Sequence, residues 1–293
     1  MTKNITENVV EKKIYTKLLS HIRNLPSIPV VMFEVSKMLS SPRTSASDLG
    51  RIISQDQGLV AKVLTVANSP LYGLPRRVST IEFAIVILGF EQIKSIVMAL
   101  SMVEVFKKNG GHNWDNNSYW NHTIMTATAA KRIADEFGYQ KPGEVFTAGL
   151  LHDLGIAIIQ RHFSEEFNSI CSLVEEQEIN FLEAEEQILG INHQEIGMLL
   201  CNKWNLPESL GDTIAHHHNP SQSENNKLIS SFVHLADYMT QKLQIGNFYW
   251  DDNMVLDDSI LDTLRFDTEE KLNEYINKHA DLFKEQLETA INI

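Results

Sequence analysis

Histidine and aspartate stand side by side at His152-Asp153, within the stretch Gly149-Leu150-Leu151-His152-Asp153-Leu154-Gly155 that closes an apolar run. A carboxylate taken into apolar surroundings loses several kcal/mol of hydration unless a cation or several donors satisfy it. Asp153 therefore needs a partner, and a divalent metal ion is one candidate. Four further places carry imidazole or carboxylate in similar surroundings: His122 after Trp120-Asn121, His193 in Asn192-His193-Gln194-Glu195-Ile196-Gly197, the triplet His216-His217-His218, and Asp237 in Val233-His234-Leu235-Ala236-Asp237. Imidazole and carboxylate together suit Zn, Fe, Mn and similar ions, and a pair of ions needs a carboxylate able to bridge. His122, His152, Asp153 and Asp237 could form one octahedral-type site, with Asp153 reaching toward a second ion held by His193 and one or both of His217 and His218. Taken singly, each has a plainer reading. A helical histidine is usually a satisfied core or surface residue, the triplet could be an exposed loop, and Asp237 could cap a helix or pair with arginine. Their joint occurrence is what points to metal.

The elements that must position these residues read as helices. Val9, Val10, Ile14, Leu18, Leu19 and Ile22 recur at steps of three and four, one buried face of a helix over residues 5 to 23. Leu25-Pro26-Ser27-Ile28-Pro29 ends it, because proline removes a backbone donor and disfavours helix in its predecessor. A second helix runs to Ser41-Pro42. Ser45 or Ser47 can cap a third, Asp56 a fourth, and Ser79 with Glu82 has the spacing of a capping box for a fifth over Thr80 to Leu88. Another spans about Glu91 to Lys107. Beyond Gly110-Gly111 the pattern predicts helices over Ser118–Glu136, from Glu144 through the His-Asp pair, and over Ser164–Glu178, Phe181–Leu189, His193–Trp204, Glu208–His217 and Lys227–Leu243. One or two acidic helices follow over Thr268–Ile293. No stretch alternates with period two, and there is no internal repeat, so the expected fold class is all-α with many short helices at angles.

The bulk numbers narrow the function classes. A chain of 293 residues, 43% of them hydrophobic, can build a proper core. A formal charge of -13 repels phosphate backbones and anionic membrane surfaces, so neither nucleic acid nor membrane is expected as a partner. The apolar run from Phe83 to Phe90 is far too short to cross a bilayer, which with the polar N-terminus suggests a cytoplasmic protein. Cys171 and Cys201 are not in a metal-binding spacing and read as reduced core residues.

Residues 25 to 245 resemble the HDOD family, the HD-related output domain of bacterial signalling proteins. In the first half the resemblance rests on Leu25-Pro26-Ser27-Ile28-Pro29, Ile53-Ser54-Gln55-Asp56, Ala67-Asn68-Ser69 with Tyr72-Gly73, and Ser79-Thr80-Ile81-Glu82 leading to Leu88-Gly89. In the second it rests on Trp120-Asn121-His122, Ala148 to Gly155, His193 with Gly197, Trp204 with Pro207, His217-His218 with Pro220, and His234-Leu235-Ala236-Asp237. It implies an N-terminal helical lobe packed on an HD-superfamily helical core. The corresponding division is 1–108 for the lobe, 109–250 for the core and 251–293 for an acidic helical extension. HD-superfamily phosphohydrolases use a His, a His-Asp pair and a distant Asp, matched here by His122, His152-Asp153 and Asp237. The related HD-GYP phosphodiesterases add a His in an HxxxG context and a His-His pair, matched by His193 to Gly197 and His217-His218. The resemblance thus implies one or two divalent ions (Fe, Mn, Zn or Mg), with Asp153 as the residue closest to any catalysis.

Departures from the enzyme pattern weigh against turnover. Ile156 stands where the HD-GYP enzymes carry a lysine expected to hold substrate phosphate, and Asn219-Pro220-Ser221-Gln222 lacks the Gly-Tyr-Pro signature. Asp56-Gln57 replaces the more usual Asp-Pro. The clustered cations considered for phosphate, Arg76-Arg77 and Lys131-Arg132, read first as solvated surface charge. The leading expectation is a signalling module that works through protein partners supplied in trans and keeps an HD-type metal site. Its rivals are a metal-dependent phosphohydrolase acting on a nucleotide or other phosphoester, and a metal-free scaffold in which the same residues form a buried hydrogen-bond network.

Overall fold

The computed structural model describes Ser20, residues 45–69, most of 72–100, 114–243 and most of 248–291. The helices expected over 5 to 23 and 31 to 41, and most of the last turns of the one over 91 to 107, lie outside the described residues. Within them the chain is all-α, with no strand, as the periodicity predicts.

Three helices come first: α1 (Ala46–Ile53), α2 (Gln57–Ala67) and α3 (Ile81–Leu88), with α3 packed on both others. Ser45 caps α1 in a reciprocal box with Asp48, and Asp56 caps α2 by accepting from the Leu59 amide. For α3 the cap is Thr80, whose hydroxyl accepts from the Phe83 amide, one residue later than Ser79. The Asn68 side chain joins this group across a loop, accepting from the Val78 amide and donating to the Val78 carbonyl.

The remainder is built around α4 (Asn116–Glu136). Its buried face is dominated by small residues, including Ala127, Ala129, Ala130 and Ala134, so that α5 (Pro142–Leu151) can pack close against it. The contact is tightest at Gly149, where an added Cβ would lie 2.8 Å from the Ala127 Cα. His152 and Asp153 interrupt the helical run, and α6 (Leu154–His162) continues it. Then follow α7 (Ser164–Gln177), α8 (Phe181–Leu189), α9 (His193–Lys203), α10 (Glu208–Ala215), a single 3₁₀ turn at Pro220–Gln222, α11 (Lys227–Lys242), α12 (Ser259–Thr263) and α13 (Glu269–Ile291). Helix α4 is flanked by α5, α11 and α13, and α9 packs on α6 and α10. Glu136 at the end of α4 ties down α13 by accepting from the Tyr275 hydroxyl at 2.8 Å and lying 3.2 Å from His279 Nε2.

Among the described residues, Pro142–His162, 21 residues long, has the length and hydropathy of a membrane span. It is a core element here, 78% buried and broken by a histidine and an aspartate. Cys171 and Cys201 are free thiols, and burial pushes them up to about 11 and about 12.

Candidate metal centre

Each residue of the candidate set is delivered by a helix or a helix end, and all seven converge in the interior. His122 lies in the second turn of α4 and Asp237 on α11, which packs alongside. His152 and Asp153 occupy the break between α5 and α6. Asp153 stands at the N-cap of α6, where an aspartate ordinarily accepts a backbone N–H, yet its side chain makes no capping bond. The carboxylate points instead into the cluster. His193 opens α9, placed by a capping box between Asn192 and Glu195. Helix α9 can approach because Gly155 faces it without a side chain; a Cβ there would be driven into the His193 carbonyl. His217 and His218 follow the end of α10. Their neighbour His216 turns away to Asp212, at 3.0 Å, so the triplet is divided.

Asp153 belongs to two groups of ligand atoms, one with His122 and His152 and one with His193, His217 and His218, while a third group of His152, His217 and Asp237 runs across them. In the first, His122 Nε2 lies 3.2 Å from Asp153 Oδ2, 3.3 Å from Asp237 Oδ1 and 3.3 Å from His152 Nε2, and His152 Nε2 is 3.1 Å from Asp153 Oδ2. In the second, His193 Nε2 is 3.1 Å from His218 Nε2 and 3.4 Å from His217 Nε2, while Asp153 Oδ1 lies 3.7 Å from His193 and 3.5 Å from His217. The two oxygens of one carboxylate thus face different sets of imidazoles. His218 is the most exposed of the seven at 7%; the rest are at 1% or below.

Tautomers follow from the partners on the far side of each ring. His152 Nδ1 is 2.7 Å from the Gly149 carbonyl, His217 Nδ1 is 2.8 Å from the Ile214 carbonyl, and His193 Nδ1 is 2.9 Å from Glu185 Oε2. Carbonyls and carboxylates only accept, so in the neutral rings the proton sits on Nδ1 and a lone pair on Nε2. Lone pairs and carboxylate oxygens are therefore aimed at one another, and none of the four oxygens of Asp153 and Asp237 has a hydrogen bond of acceptable alignment. Only a cation or extra protons can resolve that arrangement. Ligands held about 2.0–2.2 Å from an ion stand roughly 3–3.6 Å from each other, so the separations suit metal coordination.

The electrostatics of the protein alone agree. Burial disfavours imidazolium at His122, but the Asp153 and Asp237 carboxylates outweigh it and raise the group to about 9; His152 is likewise held well above its ordinary value. Burial opposes ionisation of Asp153 and Asp237 too, and the neighbouring imidazoles overcome it, holding both carboxylates low. At His217 burial and the nearby rings prevail, lowering it to about 4, and His218 is held well below its ordinary value for the same reasons.

Two supporting residues are not evident from composition or spacing. Glu185 is fully buried on α8, where it accepts from the His193 amide at 2.7 Å and from Trp250 Nε1 at 2.7 Å. Its sequence signal is a glutamate on the apolar stripe formed by Phe181, Ala184 and Ile188. His234 holds the histidine pair from behind, with Nδ1 2.7 Å from the His217 carbonyl and Nε2 accepting from the Asp257 amide at 2.9 Å. Ile156 is fully buried in the core, and Lys131 and Arg132 pair with Asp135 and Glu136 at 2.6 and 2.8 Å. A pocket of about 170 Å³ adjoins the cluster beside His218 and Asn219, walled by Phe181, Trp250 and Val255.

The family model for the HDOD domain matches residues 25–220. A crystal structure of an HDOD domain protein of unknown function from Geobacter sulfurreducens is 27% identical, with a TM-score of 0.76, covering 95% of this chain and 98% of that one. A Shewanella amazonensis SB2B protein described as a candidate phosphohydrolase shares the fold, with a TM-score of 0.71 at 22% identity over 94% of this chain and 98% of its own. An uncharacterized protein of Treponema pallidum (strain Nichols) is 26% identical over 272 residues. That alignment covers 92% of this chain and 52% of the relative, so the chain spans about half of that protein's length.

Proposed function

This chain belongs to the HDOD family, and from that membership we propose that it is a signalling module that binds one or two divalent ions in its buried His/Asp cluster and acts by engaging a protein partner. The observation that carries the metal reading is the convergence of Nε2 lone pairs and of Asp153 and Asp237 oxygens lacking aligned donors. His122, His152, Asp237 and Asp153 Oδ2 would hold one ion; His193, His217, His218 and Asp153 Oδ1 would hold the other. Bound there, such ions would lower the pKa of a coordinated water and neutralise phosphoryl charge.

Regulation is favoured over turnover by what surrounds the cluster. Among the described residues no lysine or arginine lines the pocket beside His218, and the position that would carry a phosphate-binding lysine is Ile156, sealed in the core. A phosphohydrolase acting on a small phosphoester is the second reading, supported by the same pocket, which reaches the cluster at His218. The chain-wide division into a lobe (1–108), a core (109–250) and an extension (251–293) belongs to this proposal, with the lobe or the extension receiving the partner.

The test is metal content by mass spectrometry on untagged protein purified without chelators, beside Asp153→Ala together with Asp237→Ala. Stoichiometric iron, manganese, zinc or magnesium that disappears in the double variant is the expected result. A folded, metal-free wild type would refute the reading. Phosphoester hydrolysis by the loaded wild type, absent in the double variant, would replace regulation with catalysis.

A further inference from the structure

Resting on that reading, we infer that Glu185 is the positioning residue of the second half of the centre and that Trp250 clamps it. Glu185 Oε2 takes the His193 backbone N–H at 2.7 Å and lies 2.9 Å from His193 Nδ1; Oε1 lies 3.0 Å from the same Nδ1 and takes the Trp250 indole N–H at 2.7 Å. The residue is fully buried, and so is His193. A buried carboxylate is retained when its charge or its acceptor count is needed, and here both oxygens are engaged.

The consequence for His193 is directional. With Nδ1–H committed to Glu185, the ring is fixed in rotation and tautomer, and Nε2 presents its lone pair to the space shared with His217 and His218. An imidazole lacking that partner could rotate or protonate on Nε2, and either change removes a ligand atom. In the first half of the centre His152 is backed by a backbone carbonyl, that of Gly149, instead of a carboxylate.

Trp250 extends the arrangement to the segment that follows α11. Its ring stacks on Phe181, centroids 4.2 Å apart, and on Phe167 at 4.8 Å, while its N–H fixes Glu185. The same ring walls the pocket at His218. The post-α11 segment is thereby mechanically connected to His193, and a partner or ligand that displaced Trp250 would loosen the second half of the centre while leaving the first intact.

Glutamine at 185 keeps the size and leaves one accepting oxygen where two are used. Titration of metal-stripped protein with Zn²⁺ or Mn²⁺, followed by calorimetry and by mass-spectrometric stoichiometry, tests the inference in wild type, Glu185→Gln and Trp250→Phe. The phenylalanine keeps an aromatic ring for the stack and removes the N–H together with the rest of the five-membered ring. Wild type is expected to take two ions, and Glu185→Gln to bind the second 10- to 100-fold more weakly with the first unchanged. Trp250→Phe should show a smaller loss in the same step. Imidazole ¹H–¹⁵N correlation spectra of the metal-free protein supply a second readout, with the His193 Nδ1–H signal of wild type lost or shifted in Glu185→Gln. Retention of the first ion certifies that the variant is folded. Wild type that binds metal and a Glu185→Gln variant that binds it identically would overturn the inference while leaving the proposed function standing. Wild type that binds none would overturn both.

Discussion

Around His122 and His152 two carboxylates face two imidazoles, whereas around His193, His217 and His218 three imidazoles share a single Asp153 oxygen. The first half can balance its charge with protons, and its imidazoles are accordingly raised, His122 to about 9. In the second half burial and the neighbouring imidazoles outweigh the single Asp153 oxygen, and His217 is lowered to about 4. Two neighbouring sites of similar ligand atoms should therefore differ in what competes with the ion. Protons compete in the first, whereas in the second the cost is the weak neutralisation of a divalent charge by neutral rings. Geometry compensates in the second half, where His193, His217 and His218 are held by Glu185, by the Ile214 carbonyl and, through the backbone, by His234.

The comparison breaks most severely at the residue common to both halves. Asp153→Ala should abolish binding of both ions, whereas Asp237→Ala should remove only the first; mass-spectrometric stoichiometry separates them, and one ion retained by Asp153→Ala would contradict a bridging role. Next comes Gly155→Ala, whose methyl group would enter the His193 carbonyl and force α6 and α9 apart. Overpacking of this kind costs about 3 kcal/mol, to be read in denaturant unfolding. In protein that remains folded, the second ion should weaken more than the first, and an unchanged midpoint would show that the two helices can slide freely.

Much of this was legible in the residues. The helix boundaries at Asp56, Gly138, Asn180, Asn192 and Pro207 follow from capping and breaking chemistry, which is local and therefore written in short stretches. The seven converging side chains were legible as well, because an imidazole or carboxylate on an apolar helix face is conspicuous. What the sequence concealed depends on tertiary contact. Glu185 resembles its exposed neighbours Glu183 and Glu186 until α8 is docked, and the bond from Trp250 spans 65 residues. Pro142–His162 is less conspicuous in the sequence than the run from 83 to 90 because His152 and Asp153 interrupt it, although the chain resumes helix one residue later. Thr80 rather than Ser79 caps α3 because both have the right chemistry and only the loop tether from Asn68 to Val78 fixes the register.

Acid titration sharpens the comparison at its smallest scale. In metal-stripped protein His122 holds a proton up to about pH 9, and an ion entering the first half must displace it. Apparent affinity for that ion should fall about tenfold for each pH unit below 9 for every proton released, while His217, lowered to about 4, adds no proton release at the second ion over the same range. Parallel slopes for the two ions in calorimetric titrations between pH 6 and 9 would erase the distinction. Farther into acid the support behind the second half is tested. Asp257 is partly buried, which opposes its ionisation, but bonds from Ser221 and Ser259 prevail and lower its carboxyl to about 2 from an ordinary 3.8. A depressed acid stabilises the fold above its unfolded value and loses that contribution as pH falls through the folded one. Between about pH 4 and 2 the Ser221–Asp257 link should therefore release. Because the adjoining Asp257 amide holds His234, and His234 holds the His217 carbonyl, amide exchange at Asp257, taken relative to the intrinsic rate at each pH, should accelerate in that window in wild type. In Asp257→Asn, which cannot lose a charge there, it should be flat, and an equal acceleration in both would show that the carboxylate has no part in fixing the histidine pair.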